Sequence, residues 1–350
     1  MDFNSFDDYF EVIGNFDVLS SAPLNGGFSE CDRIVNMNVD GDDDKNEGRP
    51  IFETFLETLD LDKNELDRVV GFMTGADVTE FYVGSAEVDG NEVKVWITAG
   101  IGNSLNDKSN TINIILVTDC NLSPTAMANL FIVITEAKAN ALRHLEIMYN
   151  GDLITGTPTD AIAVAKDGAK GKSVEYAGVA TPIGRTVYNL VEEGVIDALD
   201  KQEGYSINRS ILNRLEENGI TINDMANAAF ELYEGGVPSK VDRSRFKSIL
   251  RDKCSDENIK LLIESGIYLG RRSRIQNKGD PAYVVADELL GIDIAEYIAG
   301  KNGLFNFVRY DKQKPGILSE LDEKDVFLDD VIGGLIAGCM TRLFEEKNRK

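Results

Sequence analysis

The chain has 350 residues, 43% of them apolar, enough for about two compact domains at the usual ~100–200 residues each. Acidic residues outnumber basic ones 60 to 36, a net charge of −24 that opposes nucleic acid and anionic lipid as partners at long range. Four widely spaced cysteines without a CxxC pair, and one histidine, argue against a zinc cluster or a disulfide framework. The first segment, MDFNSFDDYFEVIG, lacks the basic-then-apolar pattern of a secretory leader, and no later run approaches the ~18 apolar residues of a membrane span. The expectation is a soluble, cytoplasmic protein.

In chain order, RIVNMNV and FYVGSAEVDGNEVKVWITAGI have strand character, the second divided by Asp89-Gly90, a hairpin signal. NTINIILVTDC is a near-continuous apolar run suited to a central strand buried on both faces. SPTAMANLFIVITEAKANALRHLEI predicts a long helix with Ser123 as cap and Pro124 at its first position. Its apolar stripe runs through Met127, Leu130, Phe131, Ile134, Ala137, Ala141 and Leu142, and His144 lies off that stripe on the solvated side. The acidic insert DGDDDKNEG reads as a solvated loop. Small-residue turns carry polar groups at LSSAPLNGG (Asn25), GFMTGADV (Thr74, Asp77), TAGIGNS (Asn103) and TGTPTDAI (Asp160). None completes a GxSxG elbow or a P-loop with its lysine.

Past about residues 196–208 strands give way to helical segments joined by short polar turns, so the fold class is an N-terminal α/β domain, 1–197, followed by an all-α domain, 207–350. In the second, DPAYVVADELLGIDIAEYIAG predicts a helix with Val284, Glu288 and Ile292 four apart on one face, beside Leu289 and Ala295. Hiding an unpaired carboxylate costs several kcal/mol, so Glu288 must be neutralised, wet, or given a cation. FLDDVIGGLIAGC adds Asp329 and Asp330 at a second helix start, where the helix dipole alone favours acids by ~0.3–1 kcal/mol each. Between the two pairs a basic loop holds Arg309, Lys312 and Lys314 before a Pro-Gly turn. Two acidic pairs and a basic stretch suit metal-assisted phosphoester hydrolysis: carboxylates hold a hard cation, and cation plus Lys/Arg gather the phosphate. GGLIAGC permits close helix packing, in a core or across a homo-oligomer contact.

DPAYVVADELLG, GLFNFVRYDKQKPGI and FLDDVIGGLIAG, in that order, resemble the phosphatidylglycerophosphatase A family over about 209–345, closer to its soluble branch, which includes archaeal alpha-ribazole phosphatases, than to the membrane-embedded enzymes. The resemblance implies an all-helical, Mg2+-dependent phosphomonoesterase, with Mn2+ also suited to oxygen ligands. It implies Asp287, Glu288, Asp329 and Asp330 as metal ligands and Lys312 and Lys314, beside Arg309, on the phosphate. The motifs VLSSAPLNGGFSECDRIVNMNV, GFMTGADV, VWITAGIGN, NTINIILVTDCNLSPTAMANLFIVITEAKANAL and TGTPTDAIAVA resemble the adenosylcobinamide amidohydrolases over about 15–190. That resemblance implies hydrolysis of the amide joining aminopropanol to the corrin ring, giving adenosylcobyric acid, with no cofactor specified. Candidate catalytic residues are the motif positions with usable chemistry: Asn25, Thr74, Asp77, Asn103, Glu136 and Asp160. Together the resemblances imply small-molecule corrinoid and nucleotide-loop substrates. The alternative is a corrinoid-binding module fused to a phosphatase for another phosphomonoester, such as phosphatidylglycerophosphate.

Overall fold

The computed structural model describes residues 1–39, 50–102, 110–149, 152–233, 239–272 and 285–348. The acidic insert, Asn103 and Val284 lie outside them. The chain divides into Met1–Asn208 and Arg209–Lys350. The first unit runs beyond residue 197 because its last helix continues to Glu203, where Gly204 closes it in the left-handed conformation.

That unit runs β1 (Asp2–Ser5), β2 (Tyr9–Ser20), β3 (Gly27–Asn38), α1 (Ile51–Leu59), α2 (Lys63–Leu66), β4 (Val69–Thr74), β5 (Tyr82–Val88), β6 (Asn91–Gly100), β7 (Thr111–Leu122), α3 (Pro124–His144), β8 (Met148–Tyr149), β9 (Asp152–Leu153), β10 (Ala161–Val174) and α4 (Pro182–Glu203). The main sheet has the order β4-β3-β2-β10-β7-β6-β5, with β1 paired to β2. β3 with β4 and β7 with β10 are parallel; the other pairings are antiparallel. Asp89 and Gly90 take φ of 51° and 79°, the two positive values that a tight hairpin between β5 and β6 requires. Alternation along β7 sends Ile112, Ile114 and Leu116 into the core under α3 and α4, and Ile115 and Val117 into the core on the opposite face. Ser123 Oγ accepts the Ala126 N–H at 3.1 Å and so caps α3. The buried stripe of α3 holds most of the expected residues, with Phe131 only half-buried and the unexpected Lys138 fully inside.

The sheet is strongly curved. Asn36 on β3 donates from Nδ2 to Thr98 Oγ1 on β6 at 2.8 Å, although these strands stand four places apart in the sheet order. In a flat sheet they would lie about 19 Å apart at ~4.8 Å per strand. The face away from α3 and α4 is therefore concave, filled by Phe10, Phe16, Phe72, Trp96 and Ile115.

The second unit contains α5 (Ile211–Glu217), α6 (Ile222–Glu231), α7 (Lys240–Cys254), α8 (Glu257–Arg272), α9 (Ala286–Gln313), α10 (Ile317–Lys324) and α11 (Val326–Asn348), with no strand among the described residues. α11 is buried all round from Phe327 to Thr341 and packs against α6, α7, α8, α9 and α10, as an apolar helix without a polar face must. α9 is not one straight rod. The chain bends at Ala299 (φ −140°) and Gly300 (φ 61°, ψ −154°), which brings Gly303 back onto the Ala295 carbonyl and Phe307 onto Gly291. The segment between the acidic pairs, expected to be a basic loop, is instead helical through Gln313, and only Lys314–Gly316 forms the turn. Gly300 occupies a backbone region open essentially to glycine alone, so Gly300→Ala is expected to cost about 1–3 kcal/mol in denaturant unfolding. An unchanged midpoint would show that the bend is not needed.

Candidate functional site

Sequence spacing places Asp287 one turn before Gly291 on α9, and Asp330 one turn before Gly334 on α11. At those glycines the two helix backbones touch: a Cβ built on Gly334 would sit 2.2 Å from the Gly291 carbonyl oxygen. One turn N-terminal to this contact the acids converge. One carboxylate oxygen each from Asp287, Glu288 and Asp330 lies within 4.8 Å of the others. Asp287 and Asp330 are completely buried and Glu288 is half-buried.

The stripe differs by one residue from the expected one. Asp287, Gly291, Ile294, Ala295 and Ile298 are buried, whereas Leu289 is 54% exposed and Glu288 sits at the edge. The close glycine contact sets this rotation, because a β-carbon at position 291 would meet the Asp330 carbonyl at 2.6 Å. Nor do Asp329 and Asp330 act as solvated first-turn acids: both are buried, and the helix start is capped by Asp325, whose Oδ1 accepts from Phe327 N at 3.1 Å and Leu328 N at 3.2 Å.

The bend at Gly300 returns the chain so that Lys314 reaches these acids. Its Nζ pairs with Asp329 Oδ2 and lies 2.9 Å from Asp311, 3.4 Å from Asp330 and 3.5 Å from Asp322. Burial pulls the Lys314 pKa down, but the hydrogen bonds to Asp329 and Asp311 and the surrounding negative charge outweigh it and raise the value above the lysine range. Lys314 is thus a fixed cation. Lys312 is exposed on the last turn of α9 and Arg309 is half-buried one turn earlier.

Among the described residues, the ion pairs to Asp329 and Asp330 come from Lys314. Burial first, and the Asp329 charge second, push the Asp330 carboxyl up to about 9. Asp287 Oδ2 and Asp330 Oδ2 are buried without a hydrogen-bond partner. Buried, unsatisfied oxygens from acidic side chains on two helices form a donor set of the type that hard divalent cations take.

In the first unit, the described candidates spend much of their polar capacity on the protein itself. Asn25, at φ 51°, donates from Nδ2 to Leu66 O at 2.9 Å and Val69 O at 2.8 Å, pinning its turn to β4. Thr74 Oγ1 accepts from Ala76 N at 3.0 Å. Asp77 accepts from Thr79 Oγ1 at 2.7 Å and Thr79 N at 2.8 Å, and these bonds hold its pKa below the usual carboxylate value. Glu136 is exposed on α3. Asp160 is the most elaborately held: it accepts from Ile112 N at 3.0 Å, Thr157 N at 3.0 Å, Thr157 Oγ1 at 2.5 Å and the buried Lys138 ammonium. With donors on both oxygens it clamps the TGTPTD turn to the start of β7 and to α3. His144 is 55% exposed with Nδ1 3.0 Å from Glu192, as a surface helix histidine.

Three residues outside the candidate set are buried polar groups of the concave face: Asn36, Thr98 and Asn113, each at most 1% exposed. Asn113 Nδ2 donates to Asn36 Oδ1 at 2.9 Å and to Met73 O at 3.0 Å. The signal was present in RIVNMNV and NTINIILV, where an asparagine interrupts an apolar run that buries both faces. Lys138 carried the same kind of signal on a helix stripe.

A family model described as adenosylcobinamide amidohydrolase matches residues 9–207, and one described as phosphatidylglycerophosphatase A matches residues 259–345. The adenosylcobinamide amidohydrolase of Methanosarcina mazei is 32% identical over 200 residues, 54% of this chain and 92% of that protein. An uncharacterised protein of Methanocaldococcus jannaschii is 43% identical over 126 residues, 34% of this chain and 98% of that protein. An uncharacterised protein of Bacillus subtilis, YutG, is 28% identical over 144 residues, 37% of this chain and 86% of that protein. Among the described residues no helix is long and apolar enough to cross a membrane. The chain belongs to the adenosylcobinamide amidohydrolase family and carries, after that domain, a phosphatidylglycerophosphatase A-like domain.

Proposed function

We propose that this chain carries two hydrolase activities of cobamide assembly. The first unit cleaves the aminopropanol amide of adenosylcobinamide to adenosylcobyric acid, and the second removes phosphate from alpha-ribazole 5'-phosphate. The family membership of residues 9–207 supports the first activity. The convergence of Asp287, Glu288 and Asp330 supports the second, because buried acids from two helices need a shared cation to remain ionised together.

Asp287, Glu288 and Asp330 would hold Mg2+ or Mn2+. When bound, the ion withdraws charge from the phosphate oxygens as a Lewis acid. Lys314 holds Asp329 beside the cluster, where the Asp329 carboxylate can orient the attacking water and take up a proton. Lys312, with Arg309 one turn earlier, would meet the substrate phosphate from the last turns of α9.

Chelator treatment is the expected discriminator. Loss of a Lewis acid worth several kcal/mol corresponds to a fall of roughly 10³-fold in phosphate release, restored by added Mg2+, with amide cleavage unchanged. Phosphatase activity that survives EDTA would remove the metal role of the acidic cluster. Parallel turnover of alpha-ribazole 5'-phosphate and phosphatidylglycerophosphate tests the substrate, and a preference for the lipid would refute the cobamide assignment of this unit.

A further inference from the structure

We infer that Asn113 recognises the scissile amide of the substrate, its Oδ1 accepting a hydrogen bond from the amide N–H; this rests on the amide-hydrolase reading of the first unit. Three observations carry the inference. The orientation of the side chain is fixed, because Nδ2 donates to two acceptors, Asn36 Oδ1 at 2.9 Å and Met73 O at 3.0 Å. A flip would set the Asn113 oxygen against both of those oxygens. The Met73 carbonyl, which can only accept, fixes Asn113, and Asn113 in turn fixes Asn36, whose Nδ2 donates to Thr98 Oγ1 at 2.8 Å.

The consequence is an oxygen with no partner. Asn113 Oδ1 is buried and accepts no hydrogen bond, in a residue 1% exposed. A buried acceptor held rigidly by its neighbours and left unsatisfied costs stability and calls for a role, of which binding a donor of the substrate is one.

The placement suits an amide arm better than a corrin ring. Asn113 belongs to β7, two residues from Thr111 and one from Ile112, whose N–H ties the strand to Asp160 and the TGTPTD turn. Across the concave face, the turn after β4 closes over the same region, with the Ala76 carbonyl accepting from Asn38 Nδ2 at 2.8 Å. A slender secondary amide of the substrate would have to reach Oδ1 between these turns, on a face otherwise packed with apolar side chains. Its N–H then separates substrate from product, because adenosylcobyric acid no longer carries that group.

The test compares ligands on the wild-type full chain and on an Asn36→Leu/Asn113→Leu double variant. Replacing both partners removes the Asn36–Asn113 bond without orphaning either of its members, while Met73 O and Thr98 Oγ1 lose their donors, so a lower melting temperature with the fold retained is expected. Binding of adenosylcobinamide, of its ester analogue with oxygen in place of the N–H, and of adenosylcobyric acid is read by the corrin absorbance, alongside kcat and KM for cleavage and the melting temperature. Wild type is expected to bind the amide about 10- to 100-fold more tightly than the ester. The double variant is expected to lose that preference while binding adenosylcobyric acid as wild type does. Wild type that cleaves the amide but binds amide and ester equally would overturn the role of Asn113 alone. Wild type that neither binds nor cleaves adenosylcobinamide would overturn the amide-hydrolase reading and the inference with it. The ester comparison needs no variant, so a double variant that fails to fold leaves the decision intact.

Discussion

Asp329→Asn with Asp330→Asn is expected to lower phosphate release by roughly 10³-fold or more, while amide cleavage continues at the wild-type rate. The size follows from removing one carboxylate of the three-acid cluster and the one paired to Lys314. The sign of the stability change separates this from simple damage. In metal-free protein these acids repel one another, and burial with the Asp329 charge already pushes the Asp330 carboxyl up to about 9. Neutral amides of nearly the same shape relieve that repulsion, so the metal-free variant is expected to melt no lower than metal-free wild type and to lose the rise in melting temperature that Mg2+ produces. A variant that melts well below metal-free wild type would mean that these side chains hold the fold through the Lys314 pairs. Loss of both activities together would mean that the effect is not confined to the second unit.

Gly334→Val is expected to cost about 3 kcal/mol or more and to abolish cation binding. Its β-carbon would sit 2.2 Å from the Gly291 carbonyl oxygen and 2.9 Å from the carbonyl carbon, and neither can swing aside as a side-chain end can. The helices must part, and the acids one turn away part with them. The neighbouring glycine supplies the control. A β-carbon on Gly333 meets its nearest atom, Phe307 Cε2, at 3.4 Å, an ordinary contact. Gly333→Ala is expected to be neutral or stabilising by up to about 1 kcal/mol, since alanine favours helix by that amount. Urea unfolding of the two variants checks the contrast, and equal effects would show that the α9–α11 crossing is not set by the glycines.

Much of the first unit was legible where local chemistry dictates structure. Asp89-Gly90 demanded a hairpin, Ser123-Pro124 started a helix, and the apolar run ending at Cys120 implied a strand buried on both faces. The polar contact of Asn36, Thr98 and Asn113 was not legible, because it depends on how far the sheet curves. Hydrophobic alternation fixes which face a residue takes but not which distant strand lies opposite it. In the second unit the acids were marked by sequence, yet the register of α9 was off by one residue. A periodic pattern cannot weigh Gly291 against Leu289; the backbone contact with Gly334 decides it. Lys314 was placed on the phosphate by resemblance, whereas the reversal at Ala299–Gly300 sets it against Asp329, and nothing in GKNG states the direction in which that bend turns.

Calorimetric titration of Mg2+ into chelator-stripped full-length chain measures the shared cation site itself. Wild type is expected to bind one ion saturably at the Asp287–Glu288–Asp330 cluster, and Asp330→Asn to show no binding over the same range. Equal binding by the variant, or none by wild type, would contradict a cation held between α9 and α11.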